Sequence, residues 1–254
     1  MARHRGFDIG GRNAPHQILW IHGYTGSPDA FVHTAEKLSN ALNARVLAPL
    51  LPGHGTDEWH LPRHTFEEFL SSARYFARTL PQNKKIAYIG YSFGGYIAAL
   101  LAGEFHPKAL VMCLTPYRLR FPLWLPGLAE LMSLRSFWNK NFSAEDVEIR
   151  KGTFYYPDLP GNTLSLIHEG NSQLETTVSR LDMPILTIHN NGDPIADPES
   201  GPLIVRSNGG NQSNESHILA DGRHALFFRP GGEVEEKLVI DFLRKQFEKE
   251  HKVS

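Results

Sequence analysis

The chain has 254 residues, of which 41% are hydrophobic and 21% charged, a balance typical of folded globular proteins. Its formal net charge of −1 provides no long-range attraction for nucleic acid or an anionic membrane, which argues against nucleic acid as a partner. Residues 1–11 lack the apolar stretch of a secretory signal, and no run of 18 apolar residues suggests a spanning helix. These features predict a cytoplasmic protein without stable membrane insertion.

The first half of the chain alternates short apolar runs with helical patterns. Three runs bounded by turn residues predict strands that are covered on both faces of a parallel sheet: residues 18–21, 46–49 and 86–91. Spaced apolar residues predict helices over 28–42, with Ser27 as N-cap, and over 66–80. Residues 93–105 are small and apolar almost all round, which predicts a helix buried against the sheet.

The same alternation returns in the second half of the chain. Further strands are predicted at residues 109–114, 184–189 and 217–219, and a terminal helix at 234–247. The sum is an α/β fold with a mostly parallel, doubly wound sheet. The single cysteine, Cys113, lies in one of these apolar runs, where a thiol usually acts as a small hydrophobic group and not as a nucleophile.

Residues 116–181 interrupt this rhythm with many aromatic residues and prolines but no clear strand. About 65 residues is far more than a connection between strand and helix usually needs. We predict an inserted helical cap on a core formed by 1–115 and 182–254, because prolines and glycines cut the segment into short pieces. An ordinary pair of helices in the sheet layer is the alternative. Residues 121–126 could line an apolar acyl pocket or pack the cap onto the core.

The sequence Gly90-Tyr91-Ser92-Phe93-Gly94 has the form G-x-S-x-G and lies between a predicted strand and a predicted helix. A serine at such a sharp turn projects its hydroxyl from the sheet edge. Glycines two residues before and after it remove side chains that would clash in the turn. The following helix points its N-terminus at the site, where its amides favour an oxyanion. Ser92 is therefore the predicted nucleophile.

Two further motifs strengthen this interpretation: His22-Gly23-Tyr24-Thr25-Gly26 after one strand and Pro52-Gly53-His54-Gly55 after the next. With the serine turn they resemble the α/β-hydrolase superfamily, and most closely its bacterial carboxylesterases and monoacylglycerol lipases. The resemblance covers about three-quarters of the chain and implies an α/β-hydrolase fold with a cap. It also implies an oxyanion hole formed by the backbone amides of Tyr24 and Phe93. A simple glycine turn at 22–26 is the alternative.

The resemblance also implies the order serine, acid, histidine along the chain. His224 follows the last predicted strand and precedes the terminal helix, so it is the predicted base. Asp193 lies four residues after a histidine, as in the family's H-G-x-x-D segment, although Asn190 stands where glycine is expected. Asn tolerates left-handed geometry, so the turn could survive this change. Asp193 is the predicted acid and Asp197 the reserve.

These residues predict a serine hydrolase that cleaves short to medium acyl esters or monoacylglycerols through an acyl-enzyme. A thioesterase or a carbon–carbon bond hydrolase would use the same triad, and a ligand receptor could keep the fold without catalysis. No cofactor is expected. His54, His60 and His64 do not have the spacing of a metal motif, so no metal is expected. The sequence leaves the oligomeric state open.

Overall fold

A computed structural model describes residues 5–120, 123, 125, 127–139, 155–209, 211–220, 222–227 and 232–249. Its centre is a seven-stranded sheet formed by β1 (Phe7–Ile9), β2 (His16–Ile21), β3 (Ala44–Ala48), β4 (Lys85–Tyr91), β5 (Ala109–Cys113), β8 (Ile185–Asn190) and β9 (Glu215–Leu219). Their spatial order is β1-β3-β2-β4-β5-β8-β9. Only the edge strand β1 is antiparallel among these pairings. The predicted mostly parallel sheet is confirmed.

Helices cover both faces of the sheet, as the uniformly apolar strands predict. On one face α1 (Val32–Leu42) and α7 (Glu233–Glu248) share a hydrophobic core with Ile18 and Trp20 of β2. On the other face, α2 (Phe66–Thr79) and α3 (Phe93–Phe105) pack on Leu19 and Ile21. Alternate side chains of one strand therefore enter two separate cores, so neither face of β2 meets solvent.

Several elements differ from the sequence-based expectation. The helix expected over 28–42 begins as a 3-10 turn, Pro28–Phe31, and becomes α-helical only at Val32, while Ser27 makes no side-chain capping bond. Helix α2 instead begins with a complete capping box between Thr65 and Glu68. Strand β1 and helix α6 (Ser200–Ser207) were not predicted.

The segment between β5 and β8 contains α4 (Leu128–Ser133), an antiparallel pair of β6 (Phe137–Asn139) with β7 (Asp158–Pro160), and α5 (Thr163–Val178). The expectation that glycines and prolines cut this whole segment into short pieces was wrong for α5, which runs for 16 residues through Gly170. A Cβ at Gly170 would lie 2.7 Å from Tyr96, so this glycine lets α5 pack closely on α3. The cap boundaries at 116 and 181 stay a prediction.

Candidate active site

Ser92 lies in the tight turn between β4 and α3, with backbone φ of 52° and ψ of −119°. This conformation is strained for a residue with a side chain. The two glycines that flank Ser92 are needed because any larger residue would clash with the backbone. A Cβ at Gly90 would lie 2.5 Å from the Gly94 carbonyl oxygen, and a Cβ at Gly94 would lie 2.3 Å from the Ile21 carbonyl oxygen. The close approach of β2, β4 and α3 therefore fixes the turn that presents the Ser92 hydroxyl.

The structure brings Ser92, His224 and Asp193 into one chain of hydrogen bonds. His224 Nδ1 lies 2.6 Å from Asp193 Oδ2, and His224 Nε2 lies 2.7 Å from Ser92 Oγ. A carboxylate can only accept, so Nδ1 donates to it and Nε2 is left to accept the serine proton. The arrangement can therefore remove a proton from the Ser92 hydroxyl.

Asp193 is fully buried and has both of its carboxylate oxygens engaged. Its Oδ1 accepts hydrogen bonds from the backbone amides of Ile195, at 2.7 Å, and Ala196, at 3.0 Å. These amides hold the carboxylate so that Oδ2 faces His224. The reserve candidate, Asp197, lies elsewhere: it accepts from the Glu199 amide and pairs with Arg118 at 3.4 Å.

Two buried histidines hold the 22–26 loop. The Leu51 amide donates to His22 Nε2 at 3.0 Å, and the Thr25 amide donates to His54 Nε2 at 3.1 Å. Each ring uses its Nδ1 to donate to a backbone carbonyl, of Gly23 and Pro52 respectively. Burial lowers the pKa of His22 to about 4 and that of His54 well below its ordinary value. Both imidazole rings are therefore uncharged at neutral pH. In each ring the unprotonated Nε2 accepts the backbone amide hydrogen bond.

The 22–26 loop and the turn after Ser92 carry two candidate oxyanion donors. The amide of Phe93 is the first of α3, where the helix itself supplies no acceptor. Within the described part of the chain, neither this amide nor that of Tyr24 is hydrogen-bonded to another group of the protein. Thr25, next to Tyr24, has φ of 65°, a left-handed conformation that turns the loop sharply.

Tyr156, which precedes β7, contacts two loops beside the site. The Tyr156 amide donates to the Thr25 carbonyl at 2.8 Å. The Tyr156 hydroxyl accepts from the Thr56 amide at 3.1 Å and lies 2.9 Å from the Gly53 carbonyl. Tyr156 thus joins the 22–26 loop to the loop that contains His54, and no sequence motif indicated this role.

The other residues singled out in the sequence are two histidines, a candidate metal group and a candidate acyl pocket. His60 lies 3.4 Å from Thr56 and His64 3.4 Å from Glu68. Among the described residues, no group of three potential ligands is placed to hold a metal. Residues 121, 122, 124 and 126 of the expected acyl pocket lie outside the described residues. A cavity of about 470 Å³ opens between 116–119 and α5, and its lining includes neither Ser92 nor His224.

A Ser–His–Asp chain at the carboxyl edge of a doubly wound sheet defines a hydrolase-type α/β protein. Comparison with known families agrees: residues 18–237 match the model of the alpha/beta hydrolase family. The chain belongs to this family. No helix in the part of the chain that the structure describes is long and apolar enough to cross a membrane.

Several known proteins are similar to this chain. The chain is 25% identical over 211 residues to a thermostable monoacylglycerol lipase of Bacillus sp. (strain H-257), with 82% of this chain and 81% of the relative covered. Its fold matches a structure from the metagenome-derived lipolytic enzymes LipS and LipT, with a TM-score of 0.81, 22% identity and 96% and 99% coverage. It also matches a Paleococcus ferrophilus monoacylglycerol lipase, with a TM-score of 0.78, 16% identity and 95% and 98% coverage. The expected resemblance to lipases and esterases is confirmed.

Proposed function

We propose that this chain is a serine carboxylic-ester hydrolase that works through an acyl-enzyme on Ser92. The observation that carries the proposal is the continuous Ser92–His224–Asp193 hydrogen-bond chain, at 2.7 and 2.6 Å. The substrates are short to medium acyl esters or monoacylglycerols, in agreement with the named activity of the Bacillus relative.

The proposed reaction follows from the positions of these groups. His224 Nε2 removes the Ser92 proton while Oγ attacks the ester carbonyl, and Asp193 stabilises the resulting imidazolium. The amides of Tyr24 and Phe93 donate to the negative carbonyl oxygen. His224 then protonates the leaving alcohol. Water, activated by the same base, attacks the acyl-enzyme and releases the acid.

Two further expectations belong with this proposal. The 116–181 segment is proposed as a cap that borders the substrate, because Tyr156 within it bonds to the 22–26 loop. A cytoplasmic location is proposed because the only cysteine, Cys113, is fully buried and unpaired, which suits a reducing compartment.

The test is hydrolysis of 4-nitrophenyl esters from two to sixteen carbons, of a monoacylglycerol and of an acyl thioester. It compares wild type with Ser92→Ala and with Ser71→Ala, a serine on the exposed side of α2. We expect Ser92→Ala to lower kcat roughly 10⁶-fold and Ser71→Ala to leave it unchanged. Turnover of the thioester alone would instead identify a thioesterase. Full activity of folded Ser92→Ala would refute the mechanism.

A further inference from the structure

His224 lies between β9 and α7 in the described stretch 222–227, which contains neither strand nor helix to fix its position. A base in such a loop depends on side chains that hold its backbone. Three consecutive carbonyls, of Arg223, His224 and Ala225, accept hydrogen bonds from side chains of the core. Two of those bonds come from one residue, Asn190.

Asn190 is fully buried at the end of β8. Its Nδ2 lies 2.8 Å from the Arg223 carbonyl oxygen and 3.0 Å from that of Ala225, the two residues that flank His224. Both neighbours are acceptors, so the amide nitrogen and not the oxygen must face them. A carboxylate of the same shape could not replace it.

The loop is fitted closely around this amide. A Cβ at Gly222 would lie 2.7 Å from Asn190 Nδ2, and Gly222 has φ of 122°, a conformation that favours glycine. The Tyr91 hydroxyl donates to the His224 carbonyl at 3.2 Å. The backbone on both sides of the base is therefore set by β4 and β8, the strands that precede Ser92 and Asp193.

We propose that Asn190 is a positioning residue, whose amide holds the His224 loop so that the imidazole bridges Ser92 and Asp193. This inference rests on the proposed function. It also explains why asparagine replaces the expected glycine at this position. Asn190 is the last residue of an extended strand and does not adopt a left-handed conformation, so backbone freedom is not the reason.

The experiment compares Asn190→Asp and Asn190→Ala with a matched control, Asn208→Asp. Asn208 is also a buried asparagine, and its Nδ2 donates to two backbone carbonyls. These are the carbonyls of Val178 and Leu181, two residues that precede β8 in the chain. Each aspartate places a carboxylate against two carbonyl oxygens, but only the one at position 190 faces the His224 loop. kcat, KM, the thermal midpoint and the rate of labelling by a fluorophosphonate are measured for each folded variant.

We expect Asn190→Asp to lower kcat and the labelling rate by between about 10- and 100-fold at a KM within twofold of wild type. Asn208→Asp should lower the thermal midpoint and leave kcat unchanged. If Asn190→Asp does not fold, Asn190→Ala, which removes both donors without adding charge, decides the question. The proposal is overturned if folded Asn190 variants keep kcat within twofold, or if Asn208→Asp loses as much activity. Ser92→Ala, run beside them, tests the proposed function separately.

Discussion

The burial of the neutral rings of His22 and His54 predicts that the protein loses stability in acid. Both rings are almost completely buried, and each accepts a hydrogen bond from a backbone amide. A protonated ring has no acceptor nitrogen and would lose this bond. The pKa of His22 falls from 6.5 to about 4 because burial disfavours the charged ring. When the pH is lowered, the unfolded chain therefore binds a proton at His22 well before the native protein does.

The sign and size follow from linkage. The stability associated with the neutral His22 is complete above pH 6.5 and is lost as the pH falls towards 4. Each pH unit between these values removes about 1.4 kcal/mol for one proton. Between pH 7.5 and 4.5 the free energy of unfolding should therefore fall by about 3 kcal/mol on account of His22.

The assay is urea unfolding at pH 7.5, 6.5, 5.5 and 4.5. In His22→Gln the side-chain oxygen can accept from the Leu51 amide but does not titrate, so the fall with pH should be about 3 kcal/mol smaller than in wild type. His33→Gln is the control, because the His33 side chain is 94% exposed. It should follow wild type. Equal losses of stability in wild type and His22→Gln would refute the reasoning.

Three further substitutions test single local contacts, and urea unfolding gives the free energy of unfolding for each. Tyr156→Phe removes the hydroxyl that accepts from the Thr56 amide, so the free energy of unfolding should fall by about 0.5–1.5 kcal/mol, and an unchanged value would contradict a stabilising role for this bond. Thr65→Ala removes the capping box of α2 and should cost about 1 kcal/mol. Gly94→Ala places a Cβ 2.3 Å from a backbone oxygen and should cost at least about 1–3 kcal/mol, whereas Gly11→Ala, with open space around it, should be neutral.

The sequence was most informative where a local pattern and a long-range contact agree. Residues 93–105 were predicted as a buried helix and form α3 with the same bounds, because one apolar helix fits between the sheet and α5. Ser92 was predicted from its turn between a strand and a helix, and Asp193 and His224 from the resemblance to the α/β-hydrolase superfamily and the residue order that it implies. The structure brings them together because parallel strands end at one edge of the sheet.

Other features depend on contacts that a single sequence does not display. Glycines and prolines were expected to cut residues 116–181 into short pieces, but the missing side chain of Gly170 makes room for Tyr96 and α5 continues through it. Asn190 suggested a left-handed turn, yet it is an extended strand residue whose amide reaches carbonyls more than thirty residues away. Tyr156 belongs to no recognisable sequence motif. Its role depends on hydrogen bonds to the 22–26 loop and the Gly53 carbonyl, which are about a hundred or more residues away in the chain.

The central claim is that Ser92 carries the acyl group during turnover, and trapping that intermediate tests it most directly. Wild type is mixed with a short-chain 4-nitrophenyl ester, quenched in acid within milliseconds and digested for mass spectrometry of its peptides. The account predicts an added acyl mass on Ser92, released at the rate of turnover and not detected in Ser92→Ala. Steady turnover with the acyl group on another residue, or with a Ser92→Ala variant that hydrolyses the ester equally well, would contradict it.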